Sequence, residues 1–450
     1  MYITGGIIMP YSLIRNPESL KFQSAEAGVE FPVASDCSIL KTPLKIGSKT
    51  IANRIAYQPM EGCDGTREGV PDELTVRRYV RFAHGGPGLI WFEATAVLRE
   101  GRANPRQMFL NDRTLDAFKK FVELIREESV KTTGINPVII CQLTHSGRYS
   151  KPSGTPEPLV AYLNPLFEKD KPLDPSRVVS DDYLDRVKEA LIAGAGLAEK
   201  AGFDGADIKS CHRYLLSELL SAYERPGKYG GSYENRTRLL REAFAGAKAG
   251  ASHDFIITSR LNVYDGFPYP YGFGVKEGAG IEPDFTEGTR LVGDLAAAGA
   301  DLLDITMGNP YVNPHVNRPY LQGPYESPEH PLQGVYRMLS GTAQVRLAAP
   351  DTKIICSGIS YLGAMAPYVT AAAIEKGWFD MAGFGRQTLA YPDLALDILR
   401  EGRLIPEKLC MLCSKCTSIM RQPGGTPGCV VRDSATYAPL YRKLVLGKNS

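Results

Sequence analysis

The sequence contains no run of ~18 apolar residues, the length a membrane-spanning helix needs. It has no excess of either charge. Lys and Arg number 52 against 50 Asp and Glu, a net of +2, which gives no sign of a nucleic-acid or membrane surface. The first residues, MYITGGIIMPYSLIRNPESL, lack the basic stretch and apolar core of a secretion signal. Met9 could be the initiator in place of Met1. A cytoplasmic, reducing location is therefore expected, where disulfides are rare. A dinucleotide fingerprint is also missing: GCDGTREG (62–69) is not G-x-G-x-x-G.

What is present is an ordinary globular composition, with 43% hydrophobic and 23% charged residues over 450 positions. That length allows two or three average domains, or one large α/β barrel with additions. Of nine cysteines, Cys37, Cys63, Cys141, Cys211 and Cys356 stand singly. Cys141 and Cys356 lie in apolar runs and read as small buried hydrophobes. The other four, Cys410, Cys413, Cys416 and Cys429, crowd into CMLCSKCTSIMRQPGGTPGC. Four thiolates can hold zinc or an iron–sulfur cluster. Structural zinc usually takes two separated CxxC pairs. Three cysteines in one tight run, with a fourth after a Gly/Pro turn, suit a [4Fe–4S] cube better. Unliganded thiols are the plain alternative.

Between residues 41 and 405, short apolar runs alternate with amphipathic stretches. The predicted strands are 54–60, 88–95, 137–145, 205–210, 254–262, 301–308, 353–359 and 381–386, apolar on both faces as buried parallel strands are. Residues 114–130, 182–202 and 285–300 carry helical spacing. Eight strands alternating with helices predict a (β/α)8 TIM barrel, with a doubly wound sheet as the second choice. The expected division is an irregular N-terminal leader (1–40), the barrel (41–405) and a four-cysteine segment (406–450).

A barrel puts its functional residues at the C-terminal ends of the strands. There the sequence offers Pro59, Met60 and Glu61, then Glu93 and Ala94, then Gln142 and His145. Lys209, His212, Arg213 and Tyr214 follow the fourth strand, and Arg260 lies on the fifth. Gly358, Gly385 and Arg386 end the last two strands, the usual place of a barrel phosphate site.

NRIAYQPM, GGPGLIWFEATAV, QLTHSGR, AGFDGADIKSCHRYLLSELLS, YGGSYENR and GFGR occur in that order. On these motifs residues 40–405 resemble the old yellow enzyme superfamily of FMN-dependent ene-reductases. The cysteine spacing C-x2-C-x2-C-x12-C is similar to that of trimethylamine dehydrogenase. It lies one residue from the 2,4-dienoyl-CoA reductase pattern. Both subgroups hold a [4Fe–4S] cluster and continue into a nucleotide-binding region for which this sequence has no counterpart.

The resemblance implies that Pro59, Met60, Glu61, Ala94 and Gln142 contact the flavin. Arg260 then lies near its N1 and O2, and Gly358, Gly385 and Arg386 hold the phosphate. Tyr214 takes the place of the proton donor, and Lys209 and His212 the place of the pair that holds a substrate carbonyl. Glu61 departs from the usual Thr or Cys. It either sits beside the flavin, lowering its potential, or turns away to an arginine. Lys209 and Arg213 depart too, adding positive charge. The long loop 308–338 offers Tyr311 and His315 to the substrate pocket.

The function expected is reduction of a C=C bond conjugated to a carbonyl, in an enoate, an enone or an enoyl thioester. Hydride comes from FMN and a proton from Tyr214. Electrons arrive from NAD(P)H, a ferredoxin or a second flavoprotein. An amine or ether dehydrogenase and an electron-transfer subunit are the alternatives, and the sequence leaves a homo-oligomer open.

Overall fold

The computed structural model describes residues 11–448, with the backbone of residues 3–4 and 7–8. Met1 and Met9, the two candidate starts, lie outside the described residues. Eight strands close into a barrel: β1 (Ile55–Tyr57), β2 (Leu89–Ala96), β3 (Val138–Thr144), β4 (Gly205–Ile208), β5 (Ile256–Asn262), β6 (Leu302–Thr306), β7 (Lys353–Cys356) and β8 (Met381–Phe384). Neighbours pair in parallel all the way round, closing β8 on β1 with Gly383 opposite Ala56. Eight helices follow the strands: α1 (Glu73–Ala83), α2 (Leu115–Thr133), α3 (Asp181–Lys200), α4 (Tyr233–Gly250), α5 (Thr286–Ala297), α6 (Pro331–Arg346), α7 (Ala366–Glu375) and α8 (Leu394–Glu401). Ser180 and Ser232 cap α3 and α4 by accepting from Tyr183 N and Asn235 N. Every residue of β3 is buried, because helices cover its outer face and the barrel packs its inner one.

Inside, the barrel changes character from bottom to top. A hairpin, Leu44–Ile46 with Lys49–Ile51, plugs the floor. Its Leu44, Ile46 and Ile51 join Trp91, Ile140 and Leu302 in one apolar cluster. Above it lies a polar layer. Asp207 Oδ2 accepts from Trp91 Nε1 (2.9 Å) and Gln142 Nε2 (2.7 Å). Asp304 accepts from Gln58 Nε2 (3.0 Å) and pairs with Arg260 Nε (2.9 Å). Burial pushes Asp207 up to about 6 and Asp304 up to about 7, overriding the pull of their partners.

The expected irregular leader is ordered where it is described. A helix, Pro17–Ala27, begins at Asn16 with a capping box and stops at Gly28, φ 64°. Ala27 O accepts from Gln333 Nε2 (3.0 Å), tying it to α6.

Residues 406–448 lie across the barrel and carry α9 (Lys415–Met420) and α10 (Ser434–Leu444). A buried ion network holds them. Thr426 donates to Asp64 Oδ2 at 2.6 Å. Arg78 grips Asp64 through both nitrogens and reaches Glu93 Oε1 at 2.6 Å. Arg77 and Arg81 converge on Asp433. Among the described residues no helix is long and apolar enough to cross a membrane.

Candidate active site and four-thiol cavity

A cleft of about 870 Å³, the open solvent at its mouth included, lies over the polar layer. Gln58, Pro59, Met60 and Glu61 line it from β1, and Gln142 and Arg260 from β3 and β5. Lys209 and His212 enter after β4, and Tyr311, Asn317 and Arg318 after β6. Ser357 and Gly358 follow β7, and Gly385 and Arg386 follow β8. The last wall, Thr417, Met420 and Arg421, belongs to α9 and the residue after it.

Three buried polar atoms along this cleft have no partner among the described residues: Gln58 Oε1, His212 Nε2 and Arg386 Nη1. Buried polar groups are otherwise almost always bonded, so these are the atoms a polar ligand would satisfy. Arg386 is held by its other nitrogen, which donates to Pro319 O at 2.7 Å. Lys209 is 3% exposed and pairs with no acid among the described residues. Its ammonium stands 3.9 Å from the centre of the Tyr214 ring. Burial lowers its pKa, and burial with Arg260 and Lys209 nearby keeps His212 neutral.

His212 and Arg213 both adopt left-handed backbone, φ 66° and 60°, costly for residues with a Cβ. Arg213 is not a pocket residue. It is fully buried, with Nη1 2.9 Å from Asp265 Oδ2 and Nη2 2.9 Å from the Tyr162 hydroxyl. Its charge is neutralised away from the cleft, correcting the expectation that it adds positive charge there. At this bend the Arg213 side chain is buried away from the cleft while His212 lines it.

Glu61 meets no arginine. Its Oε2 accepts from the hydroxyls of both Tyr214 and Tyr311, the latter at 3.0 Å, and the two hydroxyls are 2.8 Å apart. Tyr214 is 1% exposed and stands behind Glu61 and Tyr311, which line the cleft. Burial, then the Glu61 charge, holds both phenols well above the usual tyrosine value. Tyr149 stacks on Tyr311, with ring centres 3.9 Å apart.

Two expected residues stand elsewhere. Ala94 does not line the cleft; it is fully buried, its carbonyl accepting from Gln107 Nε2 at 3.1 Å. His315 is also outside, its Nδ1 2.6 Å from the Tyr325 hydroxyl, because the loop after β6 folds that stretch outward. His145 is buried below the cleft, bonded to Tyr183. Gln58, Asn317, Ser357, Arg318 and Arg421 went unnoticed in the sequence. Gln58 directly precedes Pro59 and was legible by adjacency. Arg318 and Arg421 reach the cleft only through tertiary packing.

Cys410, Cys413, Cys416 and Cys429 line a second cavity of about 350 Å³, and Arg386 belongs to its wall as well. No three His, Cys, Asp or Glu donors among the described residues are drawn together as a metal site. Leu412 and Ser414 are left-handed, φ 53° and 56°. Cys410 Sγ accepts from Leu412 N (3.4 Å) and Cys429 Sγ from Arg432 N (3.3 Å). Burial pushes Cys410 up to about 12 and raises Cys429. Arg318 spans the two cavities, lining the cleft and donating to Ser414 Oγ at 3.2 Å. Burial and the neighbouring Arg386 bring it down to about 9.

The sequence model of the NADH:flavin oxidoreductase / NADH oxidase family matches residues 40–273. The chain belongs to that family. It is an FMN-dependent oxidoreductase, for which NAD(P)H fits as reductant. An NADPH dehydrogenase of Geobacillus sp. (strain WCH70) is 30% identical over 276 residues, 60% of this chain and 73% of the relative. Solved structures share the fold. A 2-naphthoyl-CoA reductase in complex with 2-naphthoyl-CoA aligns with TM-score 0.70 at 23% identity, over 88% of this chain. This chain spans only 57% of that one. The old yellow enzyme homologue from Zymomonas mobilis aligns with TM-score 0.58 at 22% identity, over 82% of this chain and 95% of its own.

Proposed function

We propose that the protein is an FMN-dependent ene-reductase acting on a C=C bond conjugated to a carbonyl. In this reading the barrel holds FMN, and residues 406–450 hold a [4Fe–4S] cluster on Cys410, Cys413, Cys416 and Cys429. The observation that carries it is the buried Lys209 ammonium 3.9 Å from the centre of the Tyr214 ring, with the unpartnered His212 Nε2 on the same cleft wall.

FMN fits the cleft's orphaned atoms. Arg386 and the backbone at Gly358 and Gly385 suit its phosphate, Gln58 and Gln142 its polar ring edge, and Arg260 the edge that gains charge on reduction. Bound FMN supplies the hydride. Lys209 and His212 hold the substrate's carbonyl oxygen and stabilise the enolate charge that develops there. Tyr214 supplies the proton to Cα. A [4Fe–4S] cluster, when bound, passes single electrons, which an external ferredoxin or flavoprotein would deliver. Four thiols spaced round a cavity suit a multi-atom cluster better than one zinc ion.

An amine dehydrogenase is the poorer reading. The case against it no longer includes Arg213. Lys209, Arg318, Arg386 and Arg421 line the cleft with no acid partner among the described residues, against the one carboxylate of Glu61, and would repel a cationic amine.

The test is anaerobic purification, with iron, zinc and flavin assayed on one sample, followed by an alkene screen with a reduced dye. Four iron per FMN is expected, with turnover falling ~10²-fold or more in Tyr214→Phe at unchanged FMN content. Zinc in place of iron would overturn the cluster, and full activity of Tyr214→Phe would overturn the proton donor.

A further inference from the structure

The geometry points to Glu61 as the proton reservoir that reloads Tyr214 through a direct hydrogen bond, with Tyr311 holding the carboxylate that remains. This rests on the ene-reductase reading and adds a residue to it.

A phenol has one O–H to donate, and an ionised carboxylate has none. In the arrangement described, Tyr214 and Tyr311 both donate to Glu61 Oε2. Tyr214 therefore spends its only hydrogen on Glu61 and has none left for a substrate carbon. It is freed only when Glu61 carries a proton itself. Then the carboxylic acid donates to the Tyr214 oxygen, and the phenolic hydrogen can turn to the cleft. Tyr214 is 1% exposed, so water does not reach it, and the Tyr311 hydroxyl 2.8 Å away has a single hydrogen of its own. Glu61 is half-buried and lines the cleft, so it can exchange with water.

Were FMN bound, it would supply the hydride for the Cβ–H bond, and the alkene π pair would move toward a carbonyl held by Lys209 and His212 as an enolate. That pair forms the Cα–H bond with the proton of Tyr214 as its O–H breaks, leaving the electrons on oxygen. The Glu61 O–H then breaks and the Tyr214 O–H re-forms. The resulting carboxylate accepts from both phenols, lies near the Lys209 charge, and regains a proton from water. No oxidant or reductant beyond the flavin is needed.

Two measurements on the FMN-loaded protein test it. The first needs no substrate: ultraviolet difference titration of tyrosinate. Glu61→Gln removes the carboxylate charge, so tyrosinate should form at lower pH than in the wild type, and Tyr214→Phe in that background should remove the shifted component. The second mixes pre-reduced protein with a cyclic enone. Glu61→Gln should slow reoxidation at least 10-fold with a larger solvent isotope effect. Tyr311→Phe, a milder change, should slow reoxidation several-fold. An unchanged tyrosinate titration in Glu61→Gln overturns the inference, as does reoxidation within twofold of wild type. If the wild type reoxidises with no alkene, the ene-reductase reading fails, and the titration alone decides whether Glu61 and Tyr214 share a proton.

Discussion

Two loops of this molecule hold residues with a Cβ in the left-handed region, His212–Arg213 after β4 and Leu412–Ser414 among the thiols. They contain every such non-glycine residue among those described. Each position costs about 1–2 kcal/mol, and the loops differ in what offsets it. The first is braced by the protein alone. Arg213 is locked to Asp265, Tyr162 and Ser221, and Leu215 N donates to His145 O at 3.2 Å. The second has slighter bracing. Leu412 O accepts from Leu321 N and Gln322 N, Ser414 Oγ accepts from Arg318, and the thiols face a cavity. One loop is braced from within the barrel; the other has fewer braces and borders a cavity.

The strongest way to break the contrast is Arg213→Met. It leaves Asp265 buried without its cation and should cost about 3–5 kcal/mol in urea unfolding. A loss below ~1 kcal/mol would mean that the ion pair does not brace the loop.

His145 gives a pH-specific test of the same brace. Burial pulls its pKa down to about 3 from 6.5, so the unfolded chain binds its proton first. The stability is full above pH ~6.5 and is lost as pH falls toward 3, roughly 3 kcal/mol between pH 7 and pH 4. His145→Gln should flatten that part of the stability–pH profile, and an unchanged acid limb would show the imidazole accessible to protons.

The smallest effect belongs to the second loop. Ser414→Gly in iron-free protein should relieve strain and stabilise by up to about 1 kcal/mol, read as slower proteolysis of residues 406–448. Faster proteolysis would mean that the side-chain contact to Arg318 outweighs the backbone cost.

The barrel was legible because its strands are short, apolar on both faces and separated by helical spacing, a pattern that follows from burial on two sides. The floor of the cleft was legible too, since β1, β3, β4, β5, β7 and β8 present their polar residues where strands end. What the sequence hid was direction and distance. Nothing in HRYLL tells Arg213 to bury itself on Asp265, 52 residues away. Nothing near Glu61 announces Tyr214, 153 residues on. Ala94 sits in the expected strand yet is sealed by Gln107, and His315 sits in the expected loop yet faces outward. The leader read as irregular because its helix is short and polar, although Asn16, Pro17 and Gly28 mark its two ends.

The wall that α9 gives the cleft has a consequence for assembly. Met420, whose carbonyl meets the Cys63 thiol, is 357 residues from it, so the cleft closes across almost the whole chain. Contacts that distant form after local ones, because the entropy of closing the loop must be met first. On a ribosome the barrel strands emerge well before Thr417, Met420 and Arg421. The nascent protein thus passes through a stage in which its polar layer is built but open on one side, and the cleft becomes a chamber only once residues 417–421 have emerged.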